Sequence, residues 1–316
     1  MSAAAGRFER ALGCLLGQCA GDALGSLVEF RSPDGIAREY PGGVRDLADG
    51  GTWNTIAGQP TDDSEMALAL ARALAQEGAY DARAARAAYV AWIESGPFDC
   101  GATIAAGLRG RPNPDSQANG AMMRVSPLGV FGAGRDPRMV AEWARQDAAL
   151  THPNPVCVQA NALFVMAIAH AVETGAGGER LFARIADEAA RIGAEEALRD
   201  AVRAAERAPP ADVVSQQGWV LIAFRNALWQ LLHAPSLEEA VVDTVMRGGD
   251  TDTNAAICGA LLGAVHGRGA VPARWAERVL DCRPRAGRPG VFRPRPRRFW
   301  PTDLPALAER LLGAAA

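Results

Sequence analysis

Glycine recurs at every fourth position in two stretches of this chain, at Gly13, Gly17, Gly21 and Gly25 and again at Gly259, Gly263 and Gly267. The residues between them are chiefly small and apolar, and in a helix a four-residue repeat keeps one face bare of side chains. A glycine in a helix interior is about 1 kcal/mol less favourable than alanine, so a run in register asks for a compensating gain. Close backbone approach supplies one, because small residues at i and i+4 let two helices nest. The spacing therefore predicts that these two helices are neighbours in the core.

The second striped helix begins at an acidic cluster, Asp250-Thr251-Asp252-Thr253, and a similar cluster, Thr61-Asp62-Asp63, opens another Ala-rich stretch about 190 positions earlier. Together they offer four carboxylates and three hydroxyls, hard oxygen donors of the kind Mg²⁺, Mn²⁺ or Ca²⁺ prefer. Like charges crowded into one turn repel unless a cation neutralises them. A plainer reading stands beside this for the first cluster: Asp62 and Glu65 have the D-x-x-E form of a capping box. Asp22 and Glu29, at the end of the first striped helix, reach the same place if the two helices pack together. Glu29 is then a candidate base for water; otherwise both acids belong to a solvated helix end.

The remaining pattern is helical throughout. Met66, Leu70 and Leu74 step by four after the first cluster, as do Ile257, Leu261 and Val265 after the second. Further helices are expected over 136–149, 156–173, 179–191, 194–207, 217–232 and 237–246, with Pro and Gly punctuating between them. We expect an all-α, single-domain orthogonal bundle over 1–316, with the two acidic clusters meeting at its centre. The chain is 49% hydrophobic, and its net charge of −3 gives no reason to expect nucleic acid. Six cysteines without C-x-x-C or Cys/His spacing read as free thiols in a reducing compartment, hence a cytoplasmic protein. The apolar run Ala11 to Val28 is interrupted by Gln18 and Asp22, so no membrane span is expected.

These landmarks, in this order, resemble the ADP-ribosylglycohydrolase family. The match runs from about Gly13 to Trp275 through Gly21-Asp22-Ala23-Leu24-Gly25 with Glu29, Thr61-Asp62-Asp63, and Asp99-Cys100-Gly101-Ala102-Thr103. It continues through Asn119-Gly120-Ala121-Met122-Met123-Arg124, Thr151-His152 and Gly249-Asp250-Thr251-Asp252-Thr253. The resemblance implies two divalent cations, Mg²⁺ or Mn²⁺, held by Thr61, Asp62, Asp63, Asp250, Asp252 and Thr253. It implies catalytic roles for Glu29 and Asp99. Asn119, Gly120, Ala121, Met122 and the rest of that loop to Arg124, with His152, are implied to hold the diphosphate and ribose of ADP-ribose. Trp219 stands where relatives often carry a pocket-lining aromatic, and equally suits a core position on its helix.

The activity implied is removal of ADP-ribose from arginine side chains of modified proteins, releasing ADP-ribose. O-linked ADP-ribose on serine or a small acceptor is the alternative substrate. A non-enzymatic alternative is an ADP-ribose binder or immunity-type protein that occludes an ADP-ribosylating toxin. Residues 281–303 form an Arg/Pro-rich segment whose arginines suit either phosphate-bearing partners or the acidic surface of the bundle. We expect the latter, with Phe292, Phe299 and Trp300 as anchors. Oligomeric state and the physiological target have no signature in the sequence.

Overall fold

The computed structural model describes residues 3–313, and among these the chain forms α-helices, short 3₁₀ turns and two isolated β-bridges, without a strand. The helices are α1 (Ala3–Gly25), α2 (Pro33–Glu39), α3 (Asp62–Glu77), α4 (Ala82–Ile93), α5 (Ala102–Leu108), α6 (Ser126–Phe131), α7 (Pro137–Ala149), α8 (Pro155–Thr174), α9 (Gly178–Arg191), α10 (Glu196–Ala205), α11 (Val220–His233), α12 (Leu237–Met246), α13 (Thr251–His266), α14 (Ala273–Leu280) and α15 (Leu304–Gly313). The expected all-α class holds. The helix expected from 217 begins at Val220, because the residues before it are drawn into an antiparallel bridge with the 117–119 segment: Asn119 N donates to Gly218 O and Val220 N to Gln117 O, each at 2.9 Å. The apolar helix α8 is long enough to cross a bilayer, but most of it is buried inside the bundle.

Helices α1 and α13 run antiparallel with their glycine faces in contact. A Cβ placed on Gly17 would lie 2.2 Å from Gly259 O, and one on Gly259 would lie 2.1 Å from Gly17 O. Gly263 meets Gly13 in the same way, Gly21 meets Ala255, and Gly25 lies against the backbone of Thr251 and Asp252. Each step moves one turn along both helices, so the register is set at several points. Gly267 departs from the expectation: it is the C-cap of α13, with φ +79°, and lies outside the helix. The consequence for the site is direct. The end of α1 is pressed onto the start of α13, where the second acidic cluster sits.

The Arg/Pro-rich segment lies along the bundle, and of its three expected anchors Phe299 and Trp300 pack against the bundle while Phe292 does not. Phe299 is buried and Trp300 half-buried, whereas Phe292 is 66% exposed. A further anchor is Arg295, which is buried and donates to both carboxylate oxygens of Glu65 on α3 (2.7–3.0 Å), to Ser95 Oγ and to the carbonyls of Ser95 and Gly96. Trp92 Nε1 donates to the same carboxylate at 2.9 Å. Glu65 is thereby spent on α4 and the C-terminal segment, and the expected Asp62/Glu65 capping box is not formed. Burial raises the Glu65 pKa even against the pull of Arg295. Such a pair contributes little net stability while intact, yet is costly to break from one side.

Two predictions follow from this packing. Gly17→Val places branched carbon against the Gly259 carbonyl with no flexible side chain to yield. It should destabilise by about 3 kcal/mol or prevent folding, read by urea denaturation. Arg295→Met should cost about 3–5 kcal/mol by leaving Glu65 charged and unpaired, and adding Glu65→Leu to the same chain should restore most of the loss. A double variant no more stable than Arg295→Met would contradict the assignment.

Candidate metal centre and ligand cavity

Three helix ends converge: the C-terminus of α1 and the N-termini of α3 and α13. Helix N-termini present unpaired N–H groups and favour negative charge. Asp22, arriving from α1, exploits this at α3. Its carboxylate accepts from Thr61 N (3.1 and 3.2 Å), Thr61 Oγ1 (2.9 Å) and Ser64 N (3.0 Å). Thr61 is therefore the N-cap residue of α3 by position, but the capping oxygens come from another helix. Thr251 Oγ1 donates to Gly25 O at 2.7 Å, fastening the other junction.

The sequence clusters that were expected to meet do meet. One oxygen each from Asp22, Asp63 and Asp252 lie within 4.8 Å of one another, and so do oxygens of Glu29, Asp250 and Asp252. Asp252 is common to both groups. Thr253 Oγ1 approaches Asp63 Oδ2 at 3.4 Å across the junction, and the Thr61 hydroxyl lies 3.1 Å from that same oxygen. Asp62 is not in either oxygen group and lines the adjoining cavity together with Glu29, Asp99, Asp250 and Thr253, accepting from Gly101 N at 3.4 Å.

The electrostatics are those of acid packed on acid. Burial is the first cause in every case. It pushes Asp22 and Asp99 up to about 6, and Glu29, with Asp99 and Asp250 nearby, up to about 8. Asp62, Asp63 and Asp252 are raised well above the carboxylate range by burial and then by neighbouring carboxylates, and Asp250 is raised by burial. None of the principal influences on these four is a cationic side chain. Asp63 Oδ1 and Asp252 Oδ2 are buried without a hydrogen-bond partner. Orphaned carboxylate oxygens in an all-oxygen set fit one or two hard divalent cations. Asp22 is the member of this set that the sequence pattern placed nearby without assigning it as a ligand.

A cavity of about 290 Å³ opens from the acidic junction, lined by Glu29, Phe30, Asp62, Asp99, Asn119, Gly120, Met123, His152, Asp250 and Thr253 among others. Asn119 Nδ2 donates to Asp250 Oδ2 at 2.7 Å, so this asparagine also orients an acid of the junction. Ala121 and Met122 are buried and do not line the cavity; Met123 does. Arg124, the one cation of that loop, is withdrawn into the core, where it pairs with Asp147 and donates to Thr151 Oγ1 at 2.9 Å. Trp219 faces a neighbouring, larger cleft of about 540 Å³ and donates from Nε1 to Gln117. That cleft is mostly apolar and lacks the acid junction.

His152 shows how the Arg124 network serves the cavity. Its Nδ1 is 2.7 Å from Thr151 Oγ1, and its buried Nε2 has no partner. The Thr151 oxygen accepts from Arg124 and still has one proton and one lone pair to offer Nδ1, so the Arg124–Thr151 pair holds the imidazole in place. Burial and Arg124 push the His152 pKa down to about 3, so it lines the cavity as a neutral ring whose Nε2 has no protein partner.

Sequence reasoning missed two residues here. Trp53 Nε1 donates to Glu29 Oε2 at 2.5 Å and fixes that carboxylate. Phe30 adopts φ +64° and is held there by a pair of backbone bonds, Phe30 N to Gly249 O (2.8 Å) and Gly249 N to Arg31 O (3.0 Å). That conformation costs a bulky residue on the order of 1 kcal/mol or more, and such residues concentrate at functional sites. No local motif announces Trp53, which lies in an irregular loop. All six cysteines are free thiols, and burial pushes Cys14, Cys157, Cys258 and Cys282 up to about 12.

The family model described as ADP-ribosylglycohydrolase matches residues 3–316. The ADP-ribosyl-[dinitrogen reductase] glycohydrolase of Rhodospirillum rubrum is 30% identical over 86% of this chain and 90% of its own length. The ADP-ribosylarginine hydrolase Tri1 of Pseudomonas putida is 29% identical over 86% of this chain and 74% of its own. ADP-ribosylhydrolase ARH3 of Homo sapiens is 26% identical over 87% and 90%. A solved structure titled ADP-ribosylglycohydrolase-related protein complex superposes with a TM-score of 0.80 at 28% identity, covering 98% of this chain and 99% of that one.

The acid junction predicts a particular stability profile. Glu29 at about 8 and Asp22 and Asp99 at about 6 stand above their ordinary values of 4.5 and 3.8, so the folded chain keeps protons that the unfolded chain releases. Their stabilising contribution is full below the ordinary values and is lost as pH rises through the folded ones. The Tm of chelator-treated protein should therefore fall between pH 5 and pH 8. Mg²⁺ or Mn²⁺ should flatten that slope and add about 2.7 kcal/mol at a hundredfold excess over Kd. Chelated protein equally stable across this range and unmoved by either ion would refute the account.

Proposed function

We propose that this chain, which belongs to the ADP-ribosylglycohydrolase family, hydrolyses the N-glycosidic bond between ADP-ribose and an arginine side chain of a modified protein. Membership makes it a glycoside hydrolase acting on ADP-ribosylated substrates; the arginine linkage is our reading. It is supported by two relatives, one named as an ADP-ribosylarginine hydrolase and the other as acting on dinitrogen reductase. The observation that carries it is the convergence of Asp22, Asp63, Asp250, Asp252 and Glu29 at one end of a cavity whose other wall holds Asn119, Gly120 and His152. The six free thiols fit a reducing, cytoplasmic setting.

In this reading His152 and the backbone around Gly120 grip the diphosphate, with neutral groups rather than a cation. Thr61, Asp62, Asp63, Asp250, Asp252 and Thr253, joined by Asp22, would hold two divalent ions, Mg²⁺ or Mn²⁺. Such ions would keep these carboxylates ionised and act as Lewis acids toward the ribose hydroxyls. Glu29, fixed by the Trp53 indole, takes the proton of the attacking water. Asp99, lining the cavity beside Asp62 and raised by burial, holds a proton for the departing guanidine nitrogen. Asn119 keeps Asp250 turned toward the junction. Charge that builds on the anomeric carbon in an oxocarbenium-like transition state faces these acids, and positioning supplies much of the rate.

Glu29→Gln preserves the shape and the Trp53 contact while removing the base, and should lower kcat by about 10²–10⁴ on an arginine-linked ADP-ribosyl peptide. Asp62→Ala and Asp252→Ala should abolish turnover. The assay is release of ADP-ribose with Mg²⁺ or Mn²⁺ present, run beside a serine-linked peptide. Full activity in any of these variants would reject the mechanism, and turnover of the serine-linked peptide alone would reject the linkage.

A further inference from the structure

We infer that Phe30, backed by Trp53, is the seat for the guanidinium of the modified arginine, and so a specificity-determining residue for the leaving group. The inference rests on the arginine-linked reading above and deepens it. Phe30 is 56% exposed, the second-largest exposure among the large hydrophobic side chains described as exposed, and it lines the cavity next to Glu29. Its ring stands edge-to-face on Trp53, with centroids 6.5 Å apart, and Trp53 in turn meets Phe98 at 6.0 Å. This aromatic row already takes one guanidinium: Arg293 lies over the Phe98 ring at 6.0 Å while donating to Trp53 O. The Phe30 end of the row carries no such partner among the described cation–ring contacts.

Position fixes which part of a ligand Phe30 would meet. Hydrogen bonds trace a path through the site from Asn119 to Asp250, and Asp250 and Asp252 share an oxygen cluster with Glu29, which Trp53 holds. His152 and Gly120 lie at the Asn119 end, packed against each other, while Phe30 and Trp53 lie at the Glu29 end. A ligand whose diphosphate sits by His152 and whose anomeric carbon sits at the acids therefore extends its acceptor toward Phe30. An aromatic face beside carboxylates suits a flat, delocalised cation and offers nothing to a neutral serine hydroxyl. The backbone bonds to Gly249 hold Phe30 at its left-handed φ, so the ring is presented at fixed position before the ligand arrives.

The test uses Phe30→Ala and Phe30→Tyr in the full chain, each checked for an unchanged melting curve. On arginine-linked peptide, Phe30→Ala should raise KM about tenfold with kcat within about threefold, and Phe30→Tyr should restore the wild-type value. In a Glu29→Gln background, where turnover is slow enough for binding to be read first, Phe30→Ala should weaken arginine-linked peptide about tenfold while ADP-ribose itself binds within about twofold. Equal weakening of peptide and ADP-ribose, or no weakening of either, would overturn the role of Phe30. Wild-type protein that leaves arginine-linked peptide uncleaved would instead overturn the linkage, and this assignment with it.

Discussion

The contact that everything else depends on is backbone against backbone, between the glycine faces of α1 and α13. Side chains on either face would hold the helices apart, since a Cβ at Gly17 or Gly259 would fall within 2.2 Å of the opposing carbonyl. Because the contact repeats turn by turn, it sets a register as well as a distance. That register lays Gly25 against Asp252 and brings Asp22 and Glu29 to the N-termini of α3 and α13. The glycines lower helix propensity and are tolerated because packing recovers more than propensity loses.

The acid junction is the opposite kind of feature, a local conflict held in place by the rest of the fold. Seven carboxylates (Asp22, Glu29, Asp62, Asp63, Asp99, Asp250 and Asp252) are raised above their ordinary pKa, each with burial as first cause. Nothing about such an arrangement favours folding by itself. Helix N-termini, the Thr61 and Thr253 hydroxyls and the Asn119 amide relieve part of the repulsion, and a divalent cation would relieve most of the remainder. The core around it is correspondingly committed. Arg295 is locked to Glu65, and Arg124 to Asp147, so the buried guanidiniums nearest the site are kept out of the cation position.

Arg124 also illustrates why a motif and a role are different things. Read along the chain, the loop from Asn119 to Arg124 places a guanidinium beside glycine, which suits a diphosphate. In the fold that guanidinium points inward and acts through Thr151 on His152, holding the imidazole in place at the cavity wall. Trp53 acts on Glu29 in a comparable way. The Arg124–Thr151 and Trp53–Glu29 contacts join separate segments of the chain, and neither leaves a spacing that a sequence could display.

Much of the framework was legible in one dimension because its causes are periodic or local. The glycine stripes, the apolar steps of four and the Pro/Gly punctuation each reflect helix geometry, and they determined an all-α chain in which α1 and α13 are neighbours. The acidic turns, being short runs of hard oxygen donors, determined where a cation site had to be sought. Contacts between distant segments were decided only by tertiary structure. Asp22 caps a helix it does not belong to, Arg295 rather than Phe292 anchors the C-terminal segment, Trp219 faces a neighbouring cleft, and Phe30 is exposed at a left-handed φ beside Glu29. Each depends on which loop the packing presses against which helix end, and that is a property of the assembled register, not of any residue's neighbours in sequence.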